Sequence, residues 1–258
     1  MLKKITVIST QNTLLTGYAD SEKMPAPKTA ALSGAWKNAD GKLLKNGSST
    51  VAYLDGNIFI KCNPVRTLTD SLRKNFRRSR AENTRIMAEK FASIGIATPK
   101  VLCSVRERRG IFVLCDYLIT EALMPENTVF LNWINLLGQQ ERINAFSGTV
   151  KIIKKLHDNN ICHGDANLRN FYLDKSTGSV GTIDLDGCRR IFPLLKKRVF
   201  VREAARMISS WMIMSGDESC ENYEKISKLF ISIYGKNKLP EKLLKSKTFE
   251  FLHKTRRK

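Results

Sequence analysis

A chain of 258 residues is long enough for one large domain or for two lobes sharing a cleft. Hydrophobic residues at 42% and charged residues at 26%, with no internal repeat or low-complexity tract, exclude general disorder, and the longest apolar stretch, residues 111–119, is broken by Asp116 and falls well short of the ~20 residues of a membrane span. Lys and Arg number 44 against 24 Asp and Glu, and the net charge of +20 calls for an anionic partner, whether nucleic acid, a phosphorylated substrate or an acidic membrane surface. The six cysteines form no C-x-x-C pair, which points to neither a zinc site nor a disulfide framework and to a reducing compartment. Lys3 and Lys4 precede an apolar run too short for a signal peptide, so a cytoplasmic protein is expected.

Residues 1–35 hold a Pro-Ala-Pro after Met24 and no clear period, and read as an extended or loosely packed leader. From Gly41 the pattern turns to strands at 42–45, 50–54 and 58–62, the last two joined by Asp55-Gly56-Asn57, a hairpin signal. A basic helix follows, with five cations between Arg73 and Arg80 and then Ile86, Phe91 and Ile94 as an apolar stripe, stopped by Gly95 and Pro99. Strands at 101–105 and 111–118, separated by a charged turn at 106–110, complete an expected five-strand sheet with one inserted helix. Past Glu121 the chain reads mostly as helix. Ile143, Phe146, Val150, Ile153 and Leu156 form one buried face over 140–159, two short strands lie near 171–173 and 181–185, and helices are expected near 202–214 and 222–234. The resulting organisation is a leader (1–35), a sheet lobe (36–121) and a mainly helical lobe with a basic C-terminal tail (122–258).

The chemistry is concentrated between these last strands. His163-Gly164-Asp165 is followed by Asn170, five residues past the aspartate, and by Asp184 in Thr182-Ile183-Asp184-Leu185-Asp186. This spacing resembles that of protein kinases and their small-molecule relatives. Phosphoryl transfer needs a carboxylate to orient the attacking hydroxyl and accept its proton, and oxygen ligands for a Mg²⁺ that bridges phosphates. Asp165 is the candidate base, and Asn170 and Asp184 are the candidate metal ligands. The competing structural account is that Asp, Asn and Gly fill turns between short strands. His157 reads as a packed or capping residue and His163 as a brace for the loop.

An ATP kinase also needs a cation on its third strand to hold the α- and β-phosphates, and Lys61 of Ile58-Phe59-Ile60-Lys61 meets that need. The preceding turn, Asn46-Gly47-Ser48-Ser49-Thr50, has one glycine where kinase loops have three, so phosphate cradling there would fall to backbone amides and the Ser48 or Ser49 hydroxyl. Glu82 and Glu89, seven apart and on one helix face, are alternative partners for Lys61, and both also fit plain solvated helix charges. Residues 118–122, including Glu121, sit where backbone groups would meet adenine.

Phe-Ile-Lys at 59–61, Gly-Ile-Ala-Thr-Pro at 95–99, Tyr-Leu-Ile-Thr-Glu at 117–121, His-Gly-Asp at 163–165 and Ile-Asp-Leu-Asp-Gly at 183–187 together resemble the bacterial lipopolysaccharide core kinases, the heptose and 3-deoxy-manno-octulosonic acid kinases, over about residues 41–215. That resemblance implies an α+β, two-lobed protein-kinase-like fold, ATP and Mg²⁺ as cofactors, and phosphorylation of a sugar hydroxyl on a lipid-linked anionic acceptor at the cytoplasmic face of the inner membrane. Only a short stretch, 187–193, separates Asp184 from the next basic helix, and no Ala-Pro-Glu follows, so a peptide-docking activation segment is not expected. The cationic sets at 73–80, 189–190, 196–198 and 256–258 suit an anionic membrane or a phosphorylated sugar, and equally suit solvated faces of a basic protein. Nucleic acid is not the expected partner. A small-molecule phosphotransferase, a small atypical protein kinase and a basic pseudokinase adaptor are the competing classes. The first favours an acidic pocket surround that is absent here, and the last leaves the joint presence of Lys61, Asp165, Asn170 and Asp184 without a reason.

Overall fold

The computed structural model describes residues 1–9, 11–34, 42–47, 50–123, 128–235 and 239–256. The chain divides into two units, Met1–Lys90 with Pro99–Met124, and Phe91–Thr98 with Pro125–Lys258. In the first, strands β1 (Leu2–Ile8) and β2 (Leu14–Asp20) and a short helix α1 (Ala26–Ala30) precede β3 (Lys42–Asn46), β4 (Val51–Asp55) and β5 (Ile58–Pro64). Helices α2 (Leu68–Asn75) and α3 (Arg80–Ser93) follow, and then β6 (Val101–Arg109) and β7 (Phe112–Glu121). The strands form one antiparallel sheet in the order β1-β2-β6-β7-β5-β4-β3. The Asp-Gly-Asn turn closes β4 on β5 with Asp55 opposite Ile58, and Gly56 supplies the positive φ of 53° that such a tight turn demands.

Two expectations are corrected here. Among the described residues the sheet has seven strands rather than five, and residues 1–9 and 11–34, expected as part of a leader over 1–35, are not loosely packed. Leu15, Ala19, Met24 and Leu32 are buried in the same core as Leu102, Tyr117 and Ile119. The segment is also tied down by polar groups. The buried Glu107 carboxylate accepts from Thr13 Oγ1 at 2.8 Å, Ser33 Oγ at 2.5 Å and Tyr117 Oη at 2.8 Å, and Gly34 N–H donates to Tyr117 Oη at 3.0 Å. A buried carboxylate is tolerated only when its lone pairs are used, and here residues 13 and 33 use them. The sequence hid this because residues 14–20 carry Thr16, Gly17 and Tyr18 in place of a clean alternation.

The basic helix is also two helices. Thr67 Oγ1 accepts from Asp70 N–H to cap α2, which ends at Asn75, and Ser79 Oγ accepts from Glu82 N–H to start α3. Each cap satisfies an amide that the first helical turn leaves without an intrahelical partner, so the chain breaks between them.

The second unit contains β8 (Thr128–Phe130), α4 (Gln139–Asp158), β9 (Ile161–Cys162), β10 (Phe171–Asp174), β11 (Val180–Thr182), β12 (Arg189–Arg190), α5 (Lys196–Ser215), α6 (Cys220–Tyr234) and α7 (Glu241–Arg256). Strand β10 pairs with β11 and with β8, and β9 pairs with β12. Phe146 of α4 packs edge-on against Trp211 of α5 at 4.9 Å and Phe230 of α6 at 6.5 Å, which sets the helical core. The basic tail is helix over 241–256, with Leu244, Thr248 and Leu252 buried four residues apart. No helix among the described residues is long and apolar enough to cross a membrane.

Leu15, fully buried, tests the first correction: Leu15→Ala is expected to cost about 2–5 kcal/mol of unfolding free energy in urea, whereas a residue in a loose leader would change it little.

Candidate active site

Residues 163–170 run from β9 into β10 and are held from behind by α5. Glu203, Arg206 and Ser210 recur at spacings of three and four, so they share the face of α5 that meets this loop. The Glu203 carboxylate, 4% exposed, accepts from Gly164 N–H at 2.5 Å, from His163 N–H at 3.2 Å and from His157 Nε2 at 2.8 Å. On its other side His157 Nδ1 lies 2.6 Å from the Tyr234 hydroxyl. Burial by itself pushes the Glu203 carboxyl up, but the hydrogen bond and charge of His157, with the Gly164 amide, outweigh it and the net shift is downward. Further along, Ser210 Oγ accepts from Leu168 N–H and donates to Asn167 Oδ1, both near 3 Å.

Gly164 allows the loop to lie where it does. Its φ is +84°, and a Cβ there would sit 2.3 Å from the Gly187 carbonyl oxygen, so any side chain would push residues 163–165 away from 186–188. His163 is buried inside the loop. Thr182 Oγ1 donates to the Asn170 carbonyl, so the 2.7 Å contact from His163 Nε2 to Thr182 Oγ1 is donated by the imidazole, while Nδ1 is buried without a partner among the described residues. Burial accordingly holds the His163 pKa below its ordinary value of 6.5.

This frame brings Asp165, Asn170 and Asp184 into one assembly. Asn170 Nδ2 donates to the Asp165 carbonyl at 2.9 Å, and Ile183 N–H donates to the Asn170 carbonyl at 2.8 Å. Asn170 is thereby fixed with its amide nitrogen used, which leaves Oδ1 as the atom able to ligate. Asp184 has left the β-region, with φ 58° and ψ 60°, a left-handed conformation that costs a non-glycine residue roughly 1 kcal/mol and is concentrated at functional positions. That turn is why β11 stops at Thr182, short of the expected 185. The Asp165 carboxylate has Arg206 Nη2 2.6 Å from Oδ1 and Arg169 Nη2 3.5 Å from Oδ2. The Arg206 contact is close but poorly aligned, since Asp165 Oδ1 and Arg206 Nε are both buried without a hydrogen bond among the described residues. Among the described residues no group of three or more His, Cys, Asp and Glu side chains is arranged to hold a metal. The oxygens of Asn170 and Asp184 are nonetheless the donor type that hard divalent cations take.

The other candidates lie in the first unit. Lys61 is half-buried on β5, an interior strand of the sheet, opposite Ala52 and Leu118. Glu89 is exposed and paired with Arg85 of its own helix at 2.7 Å, whereas Glu82 is half-buried in the first turn of α3. Glu121 ends β7 with its N–H donated to the Lys100 carbonyl and its carboxylate against Lys23 Nζ at 2.5 Å. Ser48 and Ser49 lie outside the described residues. Glu203, Arg206, Ser210, Arg169 and Thr182 were not singled out from the sequence. The usable signal was Glu203, a carboxylate amid the apolar run of a helix next to Ala204 and Ala205.

The family model described as "Lipopolysaccharide kinase (Kdo/WaaP) family" matches residues 47–230. No curated protein matches the sequence. Among solved structures, "WaaP in complex with acyl carrier protein" is similar at 15% identity and TM-score 0.54, covering 86% of this chain and 90% of that one. The bifunctional kinase-methyltransferase WbdD is similar at 16% identity and TM-score 0.45, covering 78% of this chain and 47% of that one.

The histidine and the buried glutamate give two separate pH windows. An unfolded chain protonates His163 near pH 6.5 while the native state lags, so stability is expected to fall as pH drops below 6.5; the depressed Glu203 carboxyl adds a second loss only below 4.5. Urea unfolding followed from about pH 8 to about pH 5 should show the first slope in the native chain and its flattening in His163→Gln, which keeps a donor toward Thr182.

Proposed function

The chain belongs to the lipopolysaccharide kinase (Kdo/WaaP) family, with the protein-kinase-like fold and phosphotransferase activity that membership carries, and from that premise we propose that it moves the γ-phosphate of ATP to a sugar hydroxyl of the lipopolysaccharide core, on a heptose or a 3-deoxy-manno-octulosonic acid. The observation that supports this most is the hydrogen-bonded frame joining Asp165, Asn170 and Asp184. Asp165 accepts the hydrogen bond of the acceptor hydroxyl and takes its proton as the new O–P bond forms and the bond to the β-phosphate oxygen breaks. Arg206 and Arg169 orient that carboxylate from two sides. Lys61 steadies the α- and β-phosphates. Asn170 Oδ1 and Asp184 would hold Mg²⁺, which neutralises phosphate charge when bound.

The acceptor is an anionic sugar. Two guanidinium groups around one carboxylate leave a net positive charge beside the reacting hydroxyl, and Arg169 is 59% exposed and able to meet an acidic group on the sugar. The surrounding lipid-linked core and an anionic membrane at its cytoplasmic face account for the +20 charge.

Asp165→Asn and Asp184→Asn are each expected to lower transfer by roughly 10²–10⁴-fold while leaving the thermal midpoint near that of the native chain, since both side chains are partly exposed. Near-normal turnover of purified Asp165→Asn on a core-sugar acceptor would remove it as the base. Lys61→Met should lower turnover far more than stability, and a variant that merely unfolds would make Lys61 a structural residue.

A further inference from the structure

In the first unit, where β5 gives way to the two short-spaced helices, polar groups gather that the phosphotransferase chemistry does not use. Asn63 and Pro64 of β5, Arg66 of the connection to α2, Asp70 and Lys74 of α2, and Arg80, the first residue of α3, line a cavity of about 210 Å³. Asn63 is its most deeply buried polar group. The residue is 3% exposed, its Oδ1 accepts from Thr50 Oγ1 at 3.2 Å, and its Nδ2 is buried without a partner among the described residues. A buried donor left unmet costs about as much as the loss of a hydrogen bond, so an amide in this state calls for an acceptor in the space beside it.

Around that donor the charge is positive. Arg66 and Arg80 are exposed, and no ion pair joins either to a carboxylate among the described residues. Lys74 Nζ stands 3.9 Å from Asp116 Oδ2, but that carboxylate is already held by Arg106, through Nε at 2.7 Å and Nη2 at 3.4 Å. Lys74 is therefore loosely committed, while its backbone is fixed, because Arg106 Nη1 donates to the Lys74 carbonyl at 2.7 Å and to the Arg77 carbonyl at 3.2 Å. Three cations against the one carboxylate of Asp70 leave the lining with two positive charges in excess. Lys61 lies two residues before Asn63 and on the same face of β5, yet it is not among the described residues that line the cavity.

We propose that this cavity is an anion site separate from the nucleotide site, and that its ligand is the phosphate group of a small soluble molecule. The site lies wholly within the first unit and does not depend on the phosphotransferase reading. Charge and donor number choose the occupant. A water would satisfy Asn63 Nδ2 and leave three cations facing one another. A carboxylate brings two oxygens, too few for an amide and three cations. A phosphate monoester brings three acceptor oxygens and close to two negative charges, which matches both the donors and the excess charge of the lining. The diester of a nucleic acid carries one charge on a bulky chain, poorly suited to a donor as deep as Asn63. Because Arg66, Lys74 and Arg80 come from three successive segments, one phosphate group held among them ties the connection, α2 and α3 to the end of β5.

The test is calorimetric titration of the full chain with inorganic phosphate and, separately, with glycerol phosphate, each against sodium chloride at equal ionic strength. The native chain is expected to take up one phosphate group per chain and to gain in thermal midpoint as it does so. Binding of either ligand supports the site, and the tighter of the two names its source as free or esterified phosphate. Arg66→Gln and Arg80→Gln should each weaken binding about tenfold, and Asp70→Asn should tighten it about threefold. Lys3→Gln with Lys4→Gln, exposed on β1, removes two charges away from the cavity and should leave binding as in the native chain. Asn63→Asp keeps the acceptor for Thr50 and should abolish binding; if this buried variant fails to fold, the arginine variants, at exposed positions, decide the matter. No binding by the native chain gives the cavity to water and overturns the site. Uptake of several equivalents that every variant shares does so too, since that is diffuse attraction to a chain of net charge +20. Displacement of the phosphate by ATP, or loss of ATP binding in Arg66→Gln and Arg80→Gln, would merge the cavity with the nucleotide site and overturn the separation.

Discussion

Everything the second unit presents depends on one buried carboxylate. Glu203 accepts the two backbone amides that begin the His163–Asp165 turn. An unsatisfied buried amide costs on the order of 1–3 kcal/mol, so the loop and α5 stand or fall together. His157 and Tyr234 extend the same network into α4 and α6. The position of Asp165 is therefore decided by side chains drawn from three helices, with Arg206 added from the same face of α5.

The first unit repeats that logic in a different place. Glu107 is a second buried carboxylate, satisfied by three hydroxyls, and it fastens residues 13 and 33 to the sheet that carries Lys61. In both units, then, an acid in the interior joins segments far apart in sequence. The hydrophobic core sets the layers, and these acids fix register between them.

The strands and helices that were legible in the sequence are those with strong local signals. The Asp-Gly hairpin before Lys61, the apolar face of α4 and the spacing from Asp165 to Asn170 to Asp184 all read directly, because each is encoded within a few residues. What could not be read were long-range partnerships. The edge hairpin of β1 and β2 has mixed polarity and is recruited by Leu15 and Met24 entering one core with Leu102, Tyr117 and Ile119, more than seventy positions away. Helix α7 is masked by its lysines, although its Leu244, Thr248 and Leu252 spacing is that of a buried face. Glu203 belongs to the same class, since a carboxylate in a helix announces a partner without saying which one.

The close approach of Gly164 to Gly187 has a mechanical consequence. The 2.3 Å that a methyl group would find there means that residues 163–165 and 186–188 behave as a single welded block, reinforced by Cys188 Sγ donating to the His163 carbonyl at 3.3 Å. Neither segment can shift without carrying the other, so the placement of Asp165 is tied to the run that follows Asp184.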